Sequence, residues 1–268
     1  MTQAFEIHGS SSVNTTTAIE FILDETGSMM SVWDQTIGGF NEYVNSQRAQ
    51  PGTCLLSLTK FDTSGVRNAY NDVNIQEVPY LNRDTYRPNQ STNLYDAIGQ
   101  RIKALEARVA AGTYPTDTSF LVVIMTDGHD NASREFDAAG VKVLIKDKEA
   151  AGWTFVFLGA NQDAWAVGQT FGMAKGNTMT YAAGNVAGAM ETLSTATTAY
   201  RGMRAKGMVA SASASNDFFS SVAPVEAEPA VAPLNPMGRM FAAVMPDSLD
   251  KSIPNPGMGH RHSVKKGK

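Results

Sequence analysis

Two short apolar runs, each followed by an aspartate, constrain this chain most. Ala18-Ile19-Glu20-Phe21-Ile22-Leu23 stops at Asp24, and Phe120-Leu121-Val122-Val123-Ile124-Met125 passes through Thr126 to Asp127. A nearly continuous apolar run of this length, bounded by turn residues, reads as a strand buried on both faces. Such strands occur in sheets covered by helices on either side. The segments between them supply the helices. Met30, Trp33, Ile37, Phe40 and Val44 recur three and four apart, and so do Leu94, Ile98, Ile102, Leu105 and Val109. A further helix is expected from about Asp137 to Ala151, then a strand from Trp153 to Leu158, then a last helix from Val186 to Met203. Leu55 to Phe61 and Val66 to Tyr70 read as an antiparallel pair joined by the Asp62-Thr63-Ser64-Gly65 turn. The fold class is therefore α/β: a doubly wound, mostly parallel sheet with one antiparallel edge strand and helices on both faces. In such sheets ligands bind beyond the carboxyl ends of the strands, where strand order reverses. Asp24, Asp127 and the Gly159-Ala160-Asn161 strand end all belong to that rim.

Composition limits the function. Hydrophobic residues make up 43% of the 268, enough for a core, and the net charge of −4 argues against a nucleic-acid binder with a dominating basic face. No apolar run reaches the roughly 18–20 residues of a membrane span. Cys54 is the only cysteine, which excludes an internal disulfide or a multi-cysteine metal site. Residues 1–14 carry no Lys or Arg and no long apolar stretch, so no secretory signal is read there. With a single cysteine, a cytoplasmic location is expected. His8, His129, His260 and His262 form no spaced cluster for a histidine metal site.

Seven of the eleven prolines lie between Pro224 and Pro256. Met208 to Pro233 is rich in Ala, Ser, Pro and Val without periodicity, and reads as a linker. The expected division is an extension over 1–15, a globular domain over 16–204, and an Ala/Pro-rich tail over 205–268. The tail contains an apolar island at 236–253, where Met237, Met240, Phe241, Val244 and Met245 fall at helical spacing. It ends in the basic residues Arg261, Lys265, Lys266 and Lys268.

Chemistry concentrates in three places. Asp24-Glu25-Thr26-Gly27-Ser28 offers a carboxylate and two hydroxyls at alternate positions of a strand-to-helix turn. These are oxygen ligands, the kind a hard cation such as Mg²⁺ takes. Gly27 is expected to give the turn a backbone shape that a Cβ would forbid. The competing role for Thr26 or Ser28 is a helix N-cap. Ser91-Thr92-Asn93 precedes the second helix, where Asn93 and Asp96 could form a capping pair. Thr126-Asp127-Gly128-His129-Asp130 follows the central strand, where the acid could serve a ligand or simply a turn. Trp153, Phe155 and Phe157 read as sheet core. His129 could tune ligand access by its charge, although a plain loop histidine is the simpler role.

Together, Asp-x-Thr-x-Ser, a distant Thr and Thr-Asp-Gly resemble the metal-ion-dependent adhesion site of von Willebrand factor type A (vWA) domains. The resemblance covers about Thr16 to Arg204. It extends to Trp33-Asp34-Gln35-Thr36-Ile37-Gly38-Gly39-Phe40-Asn41, Asn131-Ala132-Ser133-Arg134-Glu135 and Phe155-Val156-Phe157-Leu158-Gly159-Ala160-Asn161, stretches that look like stand-alone vWA proteins of bacteria and phages. The first hydroxyl is Thr26 where Ser is commoner. What the resemblance implies is a Rossmann-like fold and a metal site of Asp24, Thr26, Ser28, Thr92 and Asp127. The three hydroxyls would meet Mg²⁺ or Mn²⁺ directly, and the two acids would hold its waters or bind it in another state. A partner protein's Asp or Glu would complete the coordination. The chain would bind without catalysing, in company such as an AAA+ ATPase or a larger assembly, with no nucleic acid and no membrane.

Two other readings stand beside this one. Asp24-Glu25-Thr26-Gly27-Ser28 also looks like the phosphorylated Asp-Lys-Thr-Gly-Thr of P-type ATPases and haloacid-dehalogenase relatives, with Asp24 as nucleophile. Against it, the general-acid position two residues on is Thr26, and the acidic loop has the wrong spacing. No G-x-G-x-x-G follows the first strand, which weakens a dinucleotide site further. Alternatively the vWA domain belongs to a structural virion or assembly component anchored by the basic tail.

Overall fold

The computed structural model describes residues 15–160, 164–206 and 216–220. The chain divides into two units, Met1–Glu228 and Pro229–Lys268. The second unit lies outside the described residues, and with it the expected island at 236–253 and the basic end. Residues 1–14, Asn161 and most of the linker lie outside them too.

Six strands form one sheet: β1 (Thr16–Asp24), β2 (Thr53–Asp62), β3 (Gly65–Asn74), β4 (Ser119–Thr126), β5 (Thr154–Ala160) and β6 (Thr178–Tyr181). Their order is β3-β2-β1-β4-β5-β6. All neighbours run parallel except β2 and β3, which are antiparallel through the expected tight turn, with Asp62 opposite Gly65. This is the mostly parallel α/β sheet with one antiparallel edge strand that was read from the sequence. Every residue of β1 and of β5 is buried, as continuous apolar strands require.

Among the described residues, five helices cover the two faces: α1 (Trp33–Arg48), α2 (Leu94–Ala110), α3 (Ala138–Ala150), α4 (Ala164–Thr170) and α5 (Val186–Ala205). Period-2 alternation sends Ile19, Phe21 and Leu23 of β1 into one core with Phe40, Tyr43 and Val44 of α1 and Met190 and Leu193 of α5. Ile22 enters the other core, with Val122 and Ile124 of β4, Ile98 and Ile102 of α2 and Val141 of α3. Trp153, Phe155 and Phe157 belong to that second core, as expected. Among the described residues, no helix is long and apolar enough to cross a membrane.

Glu20 interrupts the apolar run of β1 and is only 1% exposed. Arg101 of α2 donates to both its carboxylate oxygens, at 2.9 and 3.2 Å, and Arg108 donates at 2.9 Å. A charge can stay buried on such terms because it is paired and hydrogen-bonded at once.

Several elements differ from the sequence reading. The residues expected to open the first helix form a 3-10 segment, Gly27–Val32, before α1. Met30 is therefore half exposed, and Met29 takes the buried place. Val109 also faces solvent, because α2 is in its last turn there. Two elements had no reading at all: α4, with seven residues, and β6, with four. The tail boundary after Arg204 does not hold for residues 216–220. Phe218 is buried in the α1/α5 core with its ring centroid 5.9 Å from that of Tyr200. The Phe218 N–H donates to Asn177 Oδ1 at 3.0 Å, and the Phe219 N–H donates to the Gly176 carbonyl at 3.0 Å. A two-residue aromatic anchor inside an Ala/Ser-rich stretch has no period to reveal it.

Candidate metal centre

Strand order reverses between β1 and β4. β2 and β3 lie on one side of β1, and β4, β5 and β6 lie on the other. Leu23 is in register with Met125, so Asp24 and the Thr126-Asp127 pair leave the sheet side by side at its carboxyl edge. That is the crevice in which doubly wound sheets bind ligands.

Asp24 is fully buried. Its Oδ1 accepts the Thr26 N–H at 2.7 Å, and its Oδ2 accepts the Thr126 hydroxyl at 2.5 Å. The Ser28 hydroxyl donates to Asp127 Oδ1 at 2.5 Å. The Thr26 and Ser28 oxygens are 3.1 Å apart. Since Ser28 has spent its only proton on Asp127, Thr26 must be the donor of that pair. A hydrogen-bonded line thus runs from Thr26 through Ser28 to Asp127. Four of the five residues singled out in the sequence are joined by hydrogen bonds, across the turns after β1 and β4.

Thr92 comes from the segment before α2 and makes no hydrogen bond to the other four. Its carbonyl accepts the Asn131 N–H, and its own N–H donates to Asn131 Oδ1, both at 3.0 Å. Its hydroxyl abuts the Asp127 loop: a Cβ on Gly128 would stand 3.0 Å from Thr92 Oγ1. Glycine at 128 is what lets the two segments close so tightly.

The local roles of four residues bear on the readings made from the sequence. Thr26 sits at the N-cap position of the 3-10 segment but makes no side-chain cap, so its hydroxyl is not used there. Asn93 likewise caps nothing through its side chain. Asp96 does not complete a capping box either. Its carboxylate accepts the N–H groups of Arg134, Glu135 and Phe136 at 2.8–2.9 Å, and three amides outcompete one cap. Gly27 has no positive φ. It is needed for close approach instead, since its N–H donates to the Gln90 carbonyl at 3.0 Å and a Cβ would meet that oxygen at 3.3 Å.

Residues that the sequence reading passed over complete the frame. The Tyr86 hydroxyl donates to the Asp24 carbonyl at 2.6 Å. Glu25 is 3% exposed and accepts Lys60 at 3.0 Å, Arg67 at 2.8 Å and the Arg87 N–H at 2.5 Å. It ties the Asp24–Ser28 turn to the segment leading to Thr92. Asn131 had a signal, since it lies in a stretch that shares the vWA resemblance. Glu25 had only its place inside the Asp24-to-Ser28 motif, and Tyr86 had no signal.

The electrostatics leave the two site acids short of positive charge. Burial pushes the Asp24 carboxyl up to about 6 against the opposing hydrogen bonds from Thr126 and Thr26, and the charge of Asp127 adds to the rise. Burial also raises Asp127. Lys60 and Arg67, the cations that reach this turn, are paired with Glu25. Among the described residues, no three of His, Cys, Asp and Glu gather as a metal-ligating group. The donor set here is three hydroxyls with two carboxylates, all hard oxygens, and it fits Mg²⁺ or Mn²⁺. Ser28 and Gly27 are exposed, so the set opens to solvent at Ser28. His129 is exposed beside it.

No protein-family profile and no curated protein matches the chain. Solved structures do. Proximal thread matrix protein 1 of the mussel byssus aligns over 66% of this chain and 47% of its own, with a TM-score of 0.50 and 16% identity. The chain thus spans less than half the length of that protein. The manganese-loaded TRAP protein of Plasmodium vivax aligns over 65% of this chain and 72% of its own, at TM-score 0.47 and 13% identity. A von Willebrand factor type A protein from Catenulispora acidiphila aligns over 73% and 43%, at TM-score 0.45 and 14% identity. At these identities the likeness is one of fold.

Proposed function

We propose that this chain is a non-catalytic protein-binding module whose attachment depends on a divalent cation. The observation that carries the reading is the convergence of Asp24, Thr26, Ser28 and Asp127 at the strand-order reversal, with Thr92 closing against Gly128. Thr26, Ser28 and Thr92 would hold Mg²⁺ or Mn²⁺ through neutral oxygens, while Asp24 and Asp127 hold its waters. When bound, the cation supplies an electrophilic centre that a partner's Asp or Glu can ligate. The chain's own residues do the rest. Asp24 orients the turn through the Thr26 N–H, Asp127 fixes the Ser28 hydroxyl, and Glu25 clamps the adjoining segment.

The phosphotransfer alternative finds no support in this geometry. Thr26 stands where those enzymes place a general acid, and its hydroxyl cannot serve as one.

The test is a melting curve with Mg²⁺, with Mn²⁺ and with EDTA. At free metal about ten times Kd, stabilisation is roughly 1.4 kcal/mol, or about 3–6 °C in a domain of this size. Ser28→Ala should remove the shift and leave the curve in EDTA nearly unchanged, because Ser28 is exposed. Identical wild-type curves with Mg²⁺, with Mn²⁺ and with EDTA would refute the reading. Pull-downs with and without chelator then identify the acidic partner.

A further inference from the structure

β6 ends on the same rim as the metal centre. Thr126 is in register with Gly159, and the next residue of β5, Ala160, is in register with Tyr181. Tyr181 therefore stands one row beyond Thr126, at the level where Asp127 leaves β4. Its ring packs in the α1/α5 core with Tyr86, Met125 and Ala160.

The hydroxyl at the end of that ring is the anomaly. Tyr181 is 5% exposed, and its hydroxyl is shielded from solvent without a hydrogen-bond partner among the described residues. Buried hydroxyls are nearly always paired, because an unmet one forfeits its hydration. Tyr86, its neighbour in the same core, obeys that rule through the Asp24 carbonyl. The surroundings of Tyr181 point toward the metal centre: burial raises its phenol most, and the charges of Asp127 and then Asp24 raise it further. A neutral, shielded phenol without a partner among the described residues is a donor in want of an acceptor.

We infer that Tyr181 is a further member of the metal centre, its hydroxyl donating to a water molecule that the cation carries. This rests on the cation reading above. The hydroxyl is then unpaired only when metal is absent, and β6 becomes sensitive to occupancy through one hydrogen bond. Partners that orient a metal's ligands from outside typically change metal affinity by 10–100-fold when removed.

The experiment compares full-length wild type with Tyr181→Phe, by calorimetric Mn²⁺ and Mg²⁺ titration and by melting in EDTA. The expected result is a Kd weakened about 10-fold with no loss of Tm in EDTA, since Phe removes only a group that has no partner among the described residues. Tyr86→Phe serves as the contrast and should lower Tm in EDTA, because its hydroxyl is already bonded. Equal Kd values for wild type and Tyr181→Phe would overturn the inference while leaving the metal reading intact. An equal drop in Tm for Tyr181→Phe with and without metal would also overturn it, by showing a purely structural role. A wild type that binds neither ion would overturn both.

Discussion

Replacing Asp24 with Asn should stabilise the metal-free protein, even though it destroys the centre. Asp24 is fully buried, and its carboxyl is raised from 3.8 to about 6. A raised acid favours the folded state while it is protonated. Its contribution is complete below about pH 4 and is lost as pH rises through about 6. Two units at 1.36 kcal/mol each give a penalty of about 3 kcal/mol at neutral pH and above. Asn carries no charge and can keep the local bonds. Its Oδ1 still accepts the Thr26 N–H, and its Nδ2 can donate to Thr126, whose proton turns to the Gly128 carbonyl 3.1 Å away. In EDTA at pH 8 the variant should therefore melt roughly 6–12 °C above wild type, at about 2–4 °C per kcal/mol. The gap should close toward pH 4. Asp127 titrates in both proteins, so the difference isolates position 24. In saturating Mg²⁺ the wild type should rise and the variant should not. A variant less stable than wild type in EDTA at pH 8, or a gap that ignores pH, would refute the reasoning.

Two further outcomes test the frame. Glu20→Ala leaves Arg101 buried without its partner and should cost about 3–5 kcal/mol in urea unfolding, and a loss under 1 kcal/mol would show that the pair is solvated. Phe218→Ala should destabilise by about 3 kcal/mol through the emptied site against Tyr200. Truncation after Lys206 should cost at least as much, and an unchanged melt for both would mean that residues 216–220 do not dock.

How much of this could be read in advance depended on signal length and on locality. β4 announces itself through six consecutive apolar residues, and β1 through five apolar residues of six, patterns that admit few alternatives. α1 and α2 follow from a stripe repeated over four turns. β6 has four residues, with a Thr at each alternate place, and no window can separate that from a loop. Glu20 looked like an interruption of β1, and only the approach of Arg101 and Arg108 from another element explains it. At the centre, Asp24, Thr26 and Ser28 were legible because three oxygen donors fall within five residues. Thr92 stands far from them in sequence, and beside a competing capping role its part as a ligand came mainly from the family resemblance. Asp96 was misassigned because its partners, the amides of residues 134–136, are distant in sequence and invisible as side-chain types. Tyr181 had no local signal, since its interest lies in what it fails to touch.

The hydrogen bonds that build the centre span 99 and 102 residues of chain, from Ser28 to Asp127 and from Thr126 to Asp24. Contacts of such separation form only after the central strands have paired, because the long loop must close first. A partly folded chain therefore lacks this arrangement, and a cation held there as proposed would stabilise only what is already assembled. The stabilisation should thus fall on escape from the native state, slowing unfolding and leaving the folding rate unaltered. On the proposed function, metal would lengthen the lifetime of the competent form without hastening its arrival.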